Sequence, residues 1–228
     1  MNNPTAPLAT RGLFDWLCLH HALVLICCLQ GCAAHTLDVA YQPAEGARPL
    51  VGSDTTPVTL FLPPIEDQRA RGKKSVNVCL AGGAYKYRTD RPPTDIVWSA
   101  LAAELSSLGF SIRPTTTDAQ TGFRSVLTRF EWCGTDSTTT VEIQAELHAQ
   151  DGLRLLWSGT LRSQVVVKIT SSSRLAEDVS ASLSLALKTA VQQLGKNSGF
   201  AQAVANVSGR SPVRPSSPDQ SLPPPPIY

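Results

Sequence analysis

The chain has 228 residues, 42% of them hydrophobic and 17% charged, and its formal net charge is +2. A wholly disordered chain is excluded, because such chains combine low hydrophobicity with high net charge. A nucleic-acid binder is also excluded, because it needs a dense cationic surface. Aromatic residues make up 6%, too few for a base-stacking platform. The length predicts one domain with flanking segments.

The first 31 residues have the order of a secretory signal. Arg11 precedes an apolar run from Ala22 to Leu29, and small residues follow at Gly31, Ala33 and Ala34. The apolar run is far shorter than the ~20 residues that a membrane-spanning helix needs. We therefore predict that residues 1–31 are a signal peptide that is removed.

The end of this segment resembles the bacterial lipobox, in which an aliphatic residue stands three positions before an acylated cysteine. The matching residues are Leu29, Gln30, Gly31 and Cys32. The resemblance implies that Cys32 becomes the first mature residue and carries diacylglycerol and a fatty acid such as palmitate, chains that together hold a protein at a membrane. Ala33 then implies sorting to the cell outer membrane, with the domain facing the periplasm. The alternative is a chance cysteine after a short uncleaved anchor.

The next segments in chain order are a linker and the first structural elements. Residues 32–56 are rich in small and polar residues, which predicts a lipidated tether. Alternating apolar residues predict strands at 58–62 and 76–80. Thr94 is then predicted to be a helix N-cap, and apolar residues recur at helical spacing until Gly109.

The second half of the chain predicts three long strands and a long helix. Strand patterns cover residues 123–133, 138–149 and 153–169, and Asp151-Gly152 is typical of a hairpin turn. A helix follows over 173–194. These elements predict an α+β domain over residues 57–208, with one mostly antiparallel sheet and two amphipathic helices packed on one face. The proline-rich residues 209–228 predict a disordered tail.

Two cysteines remain once the signal peptide and the acylated Cys32 are set aside. Cys79 and Cys133 form an even pair in an exported protein, which predicts a disulfide. The alternative is two buried free thiols in strands. The histidines His35 and His148 lie far from these cysteines in sequence and lack ligand spacing, so we predict no metal site. The covalent lipid is the only cofactor expected.

A cluster of cations lies between the first strands and the first helix. It predicts a surface for anionic lipid headgroups, lipopolysaccharide phosphates or an acidic envelope protein. The alternative is a solvated loop that balances nearby acidic residues such as Glu66 and Asp90. The cluster contains Arg69, Arg71, Lys73, Lys74, Lys86, Arg88 and Arg91.

At the level of architecture the chain resembles the YajG-like family of envelope lipoproteins over about residues 36–195. The matching features are the lipobox at Cys32, the strand over 58–62 with its charged turn, the helix ending at Leu108-Gly109-Phe110 and the terminal helix. The resemblance implies a non-enzymatic binding or accessory module of the cell envelope. A second possibility is an auxiliary lipoprotein of an envelope transporter or a peptidoglycan-synthase activator.

Catalytic motifs are absent from the sequence. It contains no Gly-x-Ser-x-Gly elbow and no phosphate-binding loop with the required glycine and Ser/Thr. His148 and Glu146 share the polar face of one strand, and a carboxylate can orient a histidine as a base. No nucleophile stands at a fixed spacing from this pair, so we predict no catalytic residues. A periplasmic enzyme is the alternative of a different class.

Overall fold

The structure is a computed structural model, and the residues described are 35–43, 49–51, 57–69, 76–79, 87–134 and 137–208. The predicted signal peptide, the lipobox with Cys32 and the tail over residues 209–228 lie outside the described residues.

Nine strands and four α-helices are described. The strands are β1 (His35–Leu37), β2 (Thr59–Phe61), β3 (Glu66–Asp67), β4 (Asn77–Cys79), β5 (Tyr87–Thr89), β6 (Ser111–Arg113), β7 (Thr121–Cys133), β8 (Thr138–Ala149) and β9 (Leu155–Val166). The helices are α1 (Pro93–Ser107), α2 (Leu175–Val191), α3 (Gln193–Lys196) and α4 (Ser198–Val207), with a short 3₁₀ turn at Ser172–Arg174 before α2.

The main sheet has seven strands and is mixed. Its path runs β6-β2-β7-β8-β9, and β3 and β4 also pair with β7. Strands β7, β8 and β9 are antiparallel, whereas β2, β3 and β4 run parallel to β7. The predicted α+β fold is confirmed. The sheet is mixed: its long pairings, β7 with β8 and β8 with β9, are antiparallel as predicted, and its short pairings are parallel. Short strands that pair in parallel need return connections, which leave no hairpin signal in the sequence.

One face of the sheet is buried because apolar residues alternate along the long strands. On β8 the buried set includes Val141, Ile143 and Leu147. On β7 the alternation changes parity after Leu127, where a bulge adds one residue. Helices α1 and α2 cover this face and contact each other. The two-helix arrangement that the sequence predicts therefore forms.

Helix α1 ends where the sequence places a glycine. Gly109 has a φ of +96°, and a Cβ atom there would lie 2.8 Å from the carbonyl oxygen of Val51. Both the left-handed conformation and the close approach require glycine at this position. The backbone N–H groups of Leu50 and Val51 donate to the Leu108 carbonyl, which fastens this segment to the end of α1.

The segment predicted as a tether contributes to the core where it is described. Leu37, Val39 and Val51 are buried, so this prediction is corrected. The Tyr41 hydroxyl donates to the Glu104 carboxylate on α1, and burial together with this hydrogen bond raises the pKa of Tyr41 well above its usual range. The segment is rich in small residues, but its alternating hydrophobic side chains pack into the core.

The sheet has two ends, which are named here for later use. At the β1 end, β1 pairs with β5, and Tyr87 of β5 packs edge-on against Trp132 near the end of β7. The opposite end is the hairpin end, where β8 turns into β9. Asp151 closes this turn by accepting the N–H groups of Leu153 and Arg154.

Strand β9 lies at the edge of the sheet, and its middle is covered by a side chain. The Gln193 carboxamide accepts the Arg162 N–H at 3.2 Å and donates to the Arg162 carbonyl at 2.7 Å. This amide takes the place of a neighbouring strand, which blunts the exposed edge. Within the described ranges, no helix combines the length and apolar character that crossing a membrane requires.

Candidate functional site

A cleft of about 330 Å³ lies at the hairpin end beside β7. It forms because the chain separates from β7 between β2 and β3: Phe61 pairs with Gly122, and pairing resumes only at Glu66 with Val126. The intervening Pro63 and Pro64 have no backbone N–H to donate to a strand. Within the described residues, no strand fills the gap beside β7 at positions 123–125.

The cleft combines apolar walls with a few polar groups, the composition of many ligand sites. Two of its polar atoms, the Ser125 hydroxyl oxygen and Nδ1 of His148, are buried and have no hydrogen-bond partner among the described residues. Buried polar groups normally have a partner, so both atoms are positions that a bound molecule or water can satisfy. The apolar lining includes Phe61, Pro63, Pro64, Ala119 and Phe123, and the polar lining includes Glu66, Thr116, Arg124, Ser125, His148 and Gln150.

Charged groups on the cleft lining are paired. Arg124 Nη2 lies 3.1 Å from Glu66 Oε2, and the Gln68 side chain donates to the other Glu66 oxygen at 2.8 Å. The hydrogen bond from Gln68, followed by that from Arg124, lowers the pKa of Glu66. His148 Nε2 lies 2.9 Å from Glu146 Oε2, so the structure brings together the two residues that the sequence places on one strand face.

The sequence reveals the His148–Glu146 pair but not the rest of the cleft. Alternation along one strand is a local signal, and it is sufficient to place these two side chains together. Glu66, Arg124 and Ser125 reach the cleft through parallel pairing of β3 with β7, which no local pattern encodes. The Pro63-Pro64 pair is the one signal in the sequence that marks the gap.

The cysteine prediction concerns the β1 end. Cys133 is disulfide-bonded, and the register of β4 with β7 aligns Cys79 with Cys133. The side chain of Cys79 lies outside the described residues, so the Cys79–Cys133 pair stays a prediction.

One residue of the predicted cationic surface, Arg69, is buried in the structure. The Arg69 side chain is 0% exposed and contacts Asp67 at 2.7 Å, so it is not available to an anionic surface and this part of the prediction is corrected. The Asp67 carboxylate accepts both the backbone N–H and the guanidinium of Arg69, so the pair is formed within three residues of chain. Arg88 and Arg91 are exposed. The remaining members, Arg71, Lys73, Lys74 and Lys86, lie outside the described residues.

No candidate metal site is found in the described part of the chain, where no three His, Cys, Asp or Glu side chains come together. The carboxylates of the cleft are instead occupied by Arg124, Gln68 and His148. The arrangement therefore offers an apolar pocket with paired charges at its rim, which suits binding of a ligand or a peptide segment.

Comparison with known proteins shows a shared fold. No family model matches the sequence, and no curated protein matches it. Among solved structures, protein XCC0632 from Xanthomonas campestris, of the family model DUF330, has a TM-score of 0.55 at 17% identity. The match covers 76% of this chain and 99% of that chain. At this identity the likeness shows the fold alone, a domain of the same α+β architecture.

Two further structures are similar at lower scores. An uncharacterized protein has a TM-score of 0.48 at 11% identity, and the match covers 71% of this chain and 99% of that chain. Lipoprotein GNA1162 from Neisseria meningitidis has a TM-score of 0.37 at 16% identity, and the match covers 62% of this chain and 100% of that chain. Scores at this level carry no argument about the present chain.

Proposed function

We propose that the chain is a bacterial envelope lipoprotein, acylated at Cys32, whose domain is a non-enzymatic binding or accessory module. The observation that carries the proposal is the position of the lipobox-like Leu29-Gln30-Gly31-Cys32 directly before the folded domain. Only Ala33 and Ala34 separate Cys32 from the first strand, which begins at His35. A signal, an acylated cysteine and a folded domain in this order are the parts that a lipoprotein needs.

The disulfide at Cys133 supports export. Disulfides persist in oxidising compartments such as the periplasm and are rare in the cytosol. Ala33 after the acylated cysteine favours the outer membrane, with the domain in the periplasm. The resemblance to the YajG-like family stays a prediction that none of the matches tests.

The cleft at the hairpin end supports a binding role. Its volume of about 330 Å³ is at the lower limit of ligand sites, which suits a small molecule or a short peptide segment. The second candidate is an accessory subunit of an envelope transporter or of a peptidoglycan synthase. It is favoured by Leu153, which is 89% exposed beside the cleft residue Gly152, because exposed apolar side chains mark protein contacts.

The anchor is tested by expressing the full chain and its Cys32→Ser variant in a Gram-negative host. Mass spectrometry of the parent should find an acylated Cys32 as the first residue, and the parent should remain with membranes after a high-salt wash. The variant should lose both properties. Cys28→Ser is the matched control, because it makes the same exchange in the signal peptide and should leave acylation intact. A Cys32→Ser product that is retained by membranes like the parent contradicts the proposal.

The binding role is tested with a photoreactive side chain in place of Gln150 at the cleft. In cells this position should form a discrete covalent adduct. The same side chain in place of Thr189, which is exposed on α2, is the control and should form none. Equal labelling from the two positions, or none from either, contradicts a partner at the cleft.

A further inference from the structure

The chain leaves little slack between Cys32 and the folded domain. Leu37 and Val39 are 0% and 2% exposed, and the Ala40 N–H donates to the Ser184 hydroxyl on α2 at 3.1 Å. The domain is therefore fastened from Leu37 onward. An extended chain advances at most about 3.6 Å per residue, so the five steps back to Cys32 span at most about 18 Å.

The chain enters the domain at the β1 end. Strand β1 pairs with β5, whose Tyr87 packs against Trp132, and Trp132 is in register with Thr139 of β8. From there the chain runs along α1 toward the opposite end, because Val51 bonds to the last turn of that helix. An acyl anchor on Cys32 is thus attached at one defined end of the sheet.

Two exposed apolar side chains with a lysine between them in sequence lie at this end, and an exposed arginine stands on β5. Val166, the last residue of β9, is 74% exposed, and Ile169 is 43% exposed. Lys168 stands between them, and Arg88 is exposed on β5. Apolar side chains flanked by Lys and Arg are typical of surfaces that rest in the interface of a bilayer.

Acidic residues also lie at this end, and two of them pair with Arg91 and Arg174. Asp90 lies 3.9 Å from Arg91, and Glu177 lies 3.7 Å from Arg174. Asp178 accepts hydrogen bonds from the backbone and hydroxyl of Thr170.

We propose that the β1 end is a membrane-docking surface that holds the domain against the bilayer carrying its own anchor. Val166 and Ile169 enter the headgroup region, and Lys168 and Arg88 contact lipid phosphates. This inference rests on the proposed function, since acylation of Cys32 supplies the bilayer. Strand β7 has 13 residues, so the hairpin end with its cleft stands about 40 Å further from the lipid, where a partner can reach it.

The test uses the acylated full-length protein in vesicles of phosphatidylglycerol and phosphatidylcholine with brominated acyl chains, which quench nearby tryptophan. The fluorescence of the new tryptophan is the difference between the variant and the parent, which has tryptophans of its own. For Ile169→Trp this added fluorescence should be quenched by the brominated lipids. Leu153→Trp is the matched control, an exposed apolar position at the hairpin end, and its added fluorescence should not be quenched. Adding Lys168→Glu to Ile169→Trp should weaken docking about fivefold on anionic vesicles and leave it unchanged on neutral ones.

The outcomes separate docking from anchoring. If every variant floats with the vesicles but Ile169→Trp is unquenched, or is quenched no more than Leu153→Trp, the docking proposal is overturned while the anchor stands. If no variant floats, Cys32 is not an anchor, and the proposed function is overturned together with the docking that rests on it.

Discussion

The two ends of the sheet are built from different interactions. At the hairpin end, aromatic rings gather around Phe200, which contacts Trp157 at a centroid distance of 5.0 Å and Phe123 at 6.1 Å. At the β1 end the strands β1, β4 and β5 have three residues each, Tyr87 packs against Trp132, and Cys133 is disulfide-bonded. Both ends belong to one hydrophobic core, and the hairpin end contributes the larger group of aromatic rings to it. The β1 end adds the disulfide at Cys133 to this packing, and the buried ion pair of Asp67 and Arg69 lies between the two ends, beside the middle of β7.

The largest effect is expected at the aromatic cluster of the hairpin end. Phe200 is fully buried, and Phe200→Ala should lower the free energy of unfolding by about 4 kcal/mol, because truncation of a packed aromatic ring leaves a cavity. Urea unfolding followed by circular dichroism measures this change. Phe200→Leu is the control and should cost less than half as much. Equal costs for the two variants would show that this cluster is loosely packed.

A smaller but still large effect is expected from the buried ion pair beside the middle of β7. Asp67→Ala removes a carboxylate from the buried Arg69 guanidinium and should cost about 3 kcal/mol in the same unfolding measurement. The double variant Asp67→Ala with Arg69→Met should recover most of this loss, because it removes the buried charge as well. A double variant as unstable as Asp67→Ala alone would assign the loss to packing and not to an uncompensated buried charge.

A contrast between long and short elements explains how much of the molecule the sequence can predict. Strands β7 to β9 and helices α1 and α2 carry a local period, so the residues themselves indicate these elements. Strands β3 to β5 have two or three residues each, and their pairing is set by distant parts of the chain. For that reason Arg69 resembles a solvated loop residue in the sequence and is buried in the fold. The cleft follows the same rule: His148 and Glu146 are predictable together, whereas Ser125 joins them only through the gap between β2 and β3.

The segment over residues 37–43, called the strap here, is held against α1 by the hydrogen bond from Tyr41 to Glu104, and this contact should make stability depend on pH. Burial and Glu104 raise the pKa of Tyr41 above its ordinary value of 10.0, so the folded state favours the protonated phenol. This contribution is fully present below pH 10 and is lost as the pH rises above that value. Tyr41→Phe should cost about 1.5 kcal/mol at neutral pH, the value of a hydrogen bond to a charged group.

Denaturant unfolding between pH 8 and 11 measures this dependence. The parent should lose stability above about pH 10 more steeply than Tyr41→Phe, because only the parent must release the strap when its phenol ionises. Parallel pH profiles for the two proteins would mean that the contact with Glu104 does not hold the strap, and the two ends would be joined by apolar packing alone.

The smallest effect is expected at the tip of the hairpin, and it decides whether the two ends are independent. The backbone N–H groups of Arg154 and Leu153 lower the pKa of Asp151, so the stabilisation exists above its ordinary value of 3.8 and is lost as the pH falls through the lowered value. Asp151→Ala should speed hydrogen exchange of those two amides at neutral pH, and Asp151→Asn, which keeps an acceptor oxygen, should change it less. Because the turn is exposed and local, amides of β4 and β5 should exchange as in the parent. If they exchange faster as well, the hairpin and the β1 end open as one unit, and the two ends are not independent in stability.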